Sequence, residues 1–149
     1  MPEKEKGKYK ILIVDDDPFI INSIYLILNG SYDLSSVSSA EEMFIHLEDH
    51  VPDLILLDIM MEDMDGLSAL QLLRSNKKYE GITVVLLTGV NNENSEIRGY
   101  EVGANDYIYK PFNPVHLKHR IQIQLDLMSI NREYGELKDA IATITSVAS

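Results

Sequence analysis

Three aspartates in a row, Asp15, Asp16 and Asp17, follow the apolar run KILIV at 10–14. Asp58 follows DLILL at 53–57, Thr88 follows ITVVLL at 82–87, and Lys110 follows YIY at 107–109. Carboxylates drawn from two such places can share a hard divalent cation. Mg²⁺ suits them, since it takes one or two carboxylates and completes its shell with water and phosphate oxygens. A carboxylate can also be the nucleophile that receives a phosphoryl group as an aspartyl phosphate. A threonine hydroxyl can donate a hydrogen bond to a phosphoryl oxygen, and a lysine ammonium supplies a point charge for the same group. Phosphoryl transfer asks mainly for positioning and charge neutralisation, which this set provides.

Taken singly, each of these residues has a plainer explanation. Asp17 precedes Pro18 and reads as a helix cap with proline at the first helical position. Asp58 alone could cap a helix, Thr88 could end a strand, and Lys110 could be a solvated surface charge. Their joint position, each just after a short apolar run, is what argues for chemistry.

The elements that would hold them alternate strictly. Strands are expected at 10–14, 32–37, 53–57, 82–87 and 107–109. Helices are expected from Pro18 to about Asn29, from the Ser39/Glu42 capping pair to about His50, from Leu67 to about Asn76, from Glu93 to Gly103, and from Asn113-Pro114 onward. Most of these strands lack polar alternation, as expected of a parallel sheet covered on both faces. Right-handed crossovers make it an α/β, doubly wound, five-stranded parallel sheet. In such sheets ligands bind outside the carboxyl ends of the strands, where the candidate residues fall.

Composition narrows the classes. A chain of 149 residues can bury a real core, and it contains no cysteine, so disulfides and thiolate metal sites are excluded. The formal net charge of −11 argues against nucleic-acid binding through this chain, which needs clustered Lys and Arg. No apolar run is long enough for a membrane span, and the charged first residues lack a signal-peptide core, so a cytoplasmic location is expected. Neither a G-x-x-x-x-G-K-[ST] loop nor a G-x-G-x-x-G turn is present.

The segments ILIVDDDP at 11–18, PDLILLDIMM at 52–61, MDG at 64–66, VVLLTG at 84–89 and GANDYIYKPF at 103–112 together resemble the receiver domains of two-component response regulators. The resemblance covers residues 8–128 and leaves 129–149 as a helical extension. It implies the flavodoxin-like strand order 2-1-3-4-5. It implies Asp58 as phosphoacceptor, and Mg²⁺ held by Asp16, Asp58 and the Met60 carbonyl, with Asp15 supporting through water. It further implies Thr88 and Lys110 on the phosphoryl group, Tyr107 as a switch aromatic coupled to Thr88, and a cis Lys110-Pro111 bond. The partner would be a histidine kinase or a histidine phosphotransfer protein, with a possible downstream output domain, and catalysis would be limited to the domain's own phosphorylation and dephosphorylation. Glu62 departs from the family, which often has proline there, and would loosen its loop.

Two other classes compete. A haloacid-dehalogenase-type phosphatase would use Asp15-x-Asp17 and a lysine, but it needs a later acidic pair that KPFNPVHLKHR lacks, and it leaves Asp58 unexplained. A receiver-like interaction module that is no longer phosphorylated would not need every chemical position filled. His116 with His119, and His46 with His50, have helical spacing but no further ligands nearby. Met60, Met61 and Met64 read as loop packing, and Tyr79, Tyr100 and Tyr109 as packing or surface residues.

The end of the chain carries a second pattern. Ile123, Leu127, Ile130, Tyr134, Leu137, Ile141, Ile144 and Ala148 follow steps of four and three, a heptad seam. Leu117, Ile121, Leu125 and Met128 form a separate stripe that can pack on the sheet. With Leu127 at position a, Glu133 falls at g and Lys138 at the next e. A homodimer with parallel stems is expected; the alternative is a stem that folds back as an extra helix or frays, which the interior cost of Gly135 favours.

Overall fold

The computed structural model describes residues 7–89 and 93–148. Five strands alternate with five helices: β1 Lys10–Val14, α1 Pro18–Leu28, β2 Asp33–Val37, α2 Ala40–Asp49, β3 Leu54–Asp58, α3 Gly66–Ser75, β4 Thr83–Thr88, α4 Glu93–Val102, β5 Asp106–Tyr109 and α5 Pro114–Ala148. The strands form one parallel sheet in the order β2-β1-β3-β4-β5. This is the doubly wound, flavodoxin-like arrangement expected from the sequence.

Period-two alternation sorts the strand residues between two cores. Leu12, Val14, Ile55, Leu57, Val84 and Leu86 face one side and pack with Met43 and Leu47 of α2 and Leu70 and Leu73 of α3. Ile11, Ile13, Leu54, Leu56, Val85 and Leu87 face the other and pack with Ile24 and Leu28 of α1 and Leu117, Ile121 and Leu125 of α5. Each fully buried leucine or isoleucine contributes about 1.5–3 kcal/mol relative to an exposed one. β2, at the sheet edge, has no buried residue, in keeping with its polar sequence DLSSV.

Several helices start where side chains satisfy free N–H groups. Asp17, Ser39 and Asp65 accept from Phe19, Glu42 and Ser68. Asn113 accepts from the amides of Val115 and His116 at the head of α5. Sequence boundaries move by a residue or two. Asp58 and Thr88 are the last residues of β3 and β4 rather than the first beyond them, because both still pair with the neighbouring strand. Asp106 opens β5, earlier than expected.

α5 runs for 35 residues, about 50 Å at 1.5 Å per residue. It crosses residues 128–129 without a break. Near that point it is tied to the opposite, amino-terminal edge of the sheet. The Tyr9 and Ser129 hydroxyls lie 2.8 Å apart, and Arg132 lies 3.7 Å from Asp53.

Candidate functional site

The carboxyl ends of β1, β3, β4 and β5 meet at one edge. Asp15 is fully buried there, with its Oδ1 accepting from the Asp17 amide at 2.9 Å and its Oδ2 bound to Lys110 Nζ at 2.6 Å. Asp58, 3% exposed, lies 3.3 Å from the same ammonium and accepts a hydrogen bond from the Met60 amide at 3.2 Å. Asp16 is exposed, and ligand oxygens of Asp15, Asp16 and Asp58 all lie within 4.8 Å of one another. Asp17 takes no part; it caps α1.

Three carboxylates facing one ammonium are undercompensated. Burial, then the charge of Asp15, push the Asp58 carboxyl up to about 6, against weaker opposition from Lys110 and the Met60 amide. Burial works against the Lys110 ammonium, but its hydrogen bond to Asp15 and the charges of Asp58 and Asp15 together outweigh that and hold its pKa above the ordinary value. A hard oxygen donor set with surplus negative charge fits a divalent cation such as Mg²⁺. Among the described residues this is the one acidic or histidine cluster of three or more able to hold a metal. His46 and His50 stack on each other at 5.0 Å, and His116 and His119 stand on an exposed face.

Thr88 is buried at the end of β4, and its carbonyl accepts from the Lys110 amide at 2.6 Å. Tyr107 is buried between Tyr100 and Tyr109, with ring centroids 6.4 and 5.3 Å away. Among the described residues no partner meets its hydroxyl in full hydrogen-bond geometry, although the Thr88 side chain lies near it. Burial raises its pKa, and the nearby Thr88 side chain offsets only part of that. The Lys110-Pro111 bond is cis. Val90, Asn91 and Asn92, after Gly89, lie outside the described residues.

The loop after β3 holds features that sequence reasoning missed. A Cβ at Gly66 would lie 2.4 Å from the Asp58 carbonyl oxygen and 2.8 Å from Ile59 Cα. Glycine therefore lets the start of α3 press directly on the backbone of Asp58, where the Gly66 amide donates to the Ile59 carbonyl at 2.8 Å. Asp63 reaches across to α2 and accepts from the amides of Ala40 and Glu41 at 3.3 and 3.0 Å. Met61 is buried as loop packing and Met64 partly so, whereas Met60 is 64% exposed and belongs to neither core, contrary to expectation. Tyr109 is a hydrogen-bonded residue, not a bare packing one: its hydroxyl bonds Glu96 of α4, which pushes the phenol up to about 12. Tyr79 is a core residue whose hydroxyl donates to the Leu47 carbonyl. Capping aspartates leave little trace in sequence when their target helix is more than twenty residues away.

A sequence model described as "Response regulator receiver domain" matches residues 11–122. The chain belongs to the response regulator receiver family. As a receiver it is 34% identical over 131 residues to the alkaline phosphatase synthesis transcriptional regulatory protein PhoP of Bacillus subtilis, covering 87% of this chain and 54% of that protein. It is 32% identical over 119 residues to the DNA-binding response regulator MtrA of Mycolicibacterium smegmatis, covering 79% and 51%. The receiver thus spans about half the length of these relatives. A solved CheY-like receiver from Methanospirillum hungatei superimposes with a TM-score of 0.77 at 30% identity, covering 84% of this chain and 99% of that one. A BeF3-activated DrrB receiver domain superimposes with a TM-score of 0.73 at 28% identity, covering 80% and 98%. The phosphatase alternative is not favoured by these matches. Among the described residues, no helix is long and apolar enough to cross a membrane.

Proposed function

We propose that this receiver takes a phosphoryl group onto Asp58 from a phosphohistidine of a histidine kinase or histidine phosphotransfer protein in the cytoplasm. One observation carries the reading: a buried Asp58 lies at the end of the central strand, within ligand distance of two further carboxylates and 3.3 Å from the Lys110 ammonium. Asp16, Asp58 and the Met60 carbonyl would hold Mg²⁺, with Asp15 alongside. When bound, the ion supplies the positive charge that lets an anionic phosphoryl group approach anionic Asp58. Asp58 attacks phosphorus as the P–N bond to the histidine breaks; the bond's electron pair stays on the departing ring nitrogen, and the imidazole leaves neutral with its one proton on the other nitrogen. Lys110 turns from Asp15 and Asp58 toward a phosphoryl oxygen, and the Thr88 hydroxyl donates to another.

The same step would drive the switch. As Thr88 is drawn toward the phosphoryl group, the space beside Tyr107 changes, and the surface of α4, β5 and α5 changes with it. The relatives are named as transcriptional and DNA-binding regulators; with a net charge of −11, this chain would signal through protein contacts and leave any DNA contact to an output domain. Peptide mapping after labelling with a small phosphodonor tests the site. Label on the peptide containing Asp58 is expected, whereas label at Asp15 would transfer the chemistry to the phosphatase arrangement. Amide shifts with a phosphoryl mimic should reach residues 93–103 and 106–112; shifts confined to Asp15, Asp16, Asp58 and Lys110 would remove the switch.

A further inference from the structure

α5 outlasts the body it packs on. Leu117, Ile121 and Leu125 are buried against the sheet, with Met128 packed beside them. Ile123, Leu127, Ile130, Tyr134, Leu137, Ile141 and Ile144 are all exposed, from 38% to 68%. At about 100° per residue the centres of the two stripes stand roughly 160° apart. One helix therefore serves its own core with one face and leaves a second apolar face uncovered by any described residue. Seven large apolar side chains in an unbroken row on a highly charged chain mark an interaction surface.

The spacing says what covers it. The steps alternate four and three, a mean period of 3.5 residues. A helix with 3.6 residues per turn keeps such a stripe in contact only by winding around other helices of the same period. A helix lying on a sheet or a flat surface would instead show a broader stripe of period 3.6.

Charge at the flanks sets direction. In a parallel, in-register pair Glu133 at g meets Lys138 at e of the other copy, and symmetry makes this contact twice. In an antiparallel pair centred between Tyr134 and Leu137, Glu133 would instead face Ala140, and Lys138 would face Asn131. Gly135 falls on the outer side, where an added Cβ would meet no described atom within 4 Å beyond its own helix backbone and chain neighbours. The stem is already held in line by the Tyr9–Ser129 and Asp53–Arg132 contacts, so pairing need not order it.

We infer that the α5 stem is a self-association surface on which copies of this chain pair in parallel and in register through the seam from Ile123 to Ile144. The side chain of Ala148, the last position of the sequence pattern, is outside the described residues. Isoleucine at three of the four d positions also accommodates a third or fourth stem; the pairing geometry is the inference, and molar mass counts the copies. The inference does not depend on phosphorylation, so Asp58→Asn should leave association unchanged in the unphosphorylated chain.

Sedimentation equilibrium of the full chain over a range of micromolar concentrations should show self-association. Leu137→Lys, a change at an exposed position, should preserve the circular dichroism spectrum. It should weaken association by roughly a hundredfold, since each copy loses a buried leucine. Because the chain has no cysteine, Ile144→Cys should form disulfide-linked pairs under mild oxidation, while Asp139→Cys on the outer face should not. A wild-type monomer at every concentration, an oligomer indifferent to Leu137→Lys, or equal cross-linking at 139 and 144 would each overturn the inference.

Discussion

Two glycine-to-alanine changes should move stability in opposite directions. At Gly66 the added Cβ would sit 2.4 Å from the Asp58 carbonyl oxygen, 2.8 Å from Ile59 Cα and 3.0 Å from the Asp58 carbonyl carbon. All three are backbone atoms, so no side chain can swing away, and the head of α3 must retreat from β3. Overpacking of this kind costs about 1–3 kcal/mol. The 2.8 Å hydrogen bond from the Gly66 amide to the Ile59 carbonyl stretches with the retreat, adding about 1 kcal/mol. At Gly135 an added Cβ would meet no described atom within 4 Å beyond its own helix backbone and chain neighbours, and alanine in a helix interior gains about 0.5–1 kcal/mol. Urea unfolding should place Gly66→Ala about 2–4 kcal/mol below wild type and Gly135→Ala slightly above it. Gly66→Ala should also slow labelling by a small phosphodonor, because the displaced backbone is that of the phosphoacceptor. Equal stability of Gly66→Ala and wild type, with equal labelling rates, would refute the claim that glycine is needed to set Asp58 in place.

Removing the Asp58 charge should stabilise the metal-free protein. Its folded pKa of about 6 lies above the ordinary 3.8. The penalty is therefore present in full above pH of about 6 and is lost as pH falls to the ordinary carboxylate value. In EDTA near neutral pH, Asp58→Asn should raise the urea midpoint by up to about 3 kcal/mol equivalent, with the advantage vanishing in acid; a constant advantage at all pH values would contradict it. Lys110→Ala strips from Asp15 and Asp58 the ammonium that lies 2.6 and 3.3 Å from them. It should destabilise the metal-free fold by about 3 kcal/mol, with Mg²⁺ restoring part of the loss in a thermal melt. Asp63→Ala removes two hydrogen bonds to the head of α2 and should cost about 1 kcal/mol. Faster amide exchange at Ala40 and Glu41 should accompany it, and unchanged exchange would show that the link is idle.

Much of this was legible in the sequence because the signals are local. Apolar runs such as ILIV and LILL mark fully buried parallel strands, and the positions that end them lie at one edge in this topology. Cap residues beside their helices, as at Asp17, Ser39 and Asn113, were legible for the same reason. What escaped was contact between distant segments. Asp63 caps a helix that begins 23 residues earlier, Tyr109 bonds Glu96 on the neighbouring helix, and Arg74 bonds the carbonyls of Glu80, Ile82 and Gly103. Gly66 stands in a recognisable turn, but its press on the Asp58 backbone arises only where the chain folds back on the end of β3. Met60 looked like loop packing because its neighbours are apolar, yet the loop turns it outward while Met61 goes in.

If Asp58 receives the phosphoryl group in a site completed by Mg²⁺, labelling must need both the carboxylate and the ion. Intact mass spectrometry of the full chain with a small phosphodonor tests it directly. Wild type should gain the mass of one phosphoryl group when Mg²⁺ is present and not when EDTA removes it, and Asp58→Asn should gain nothing under either condition. An equal gain in Asp58→Asn, or a wild-type gain indifferent to EDTA, would contradict the account.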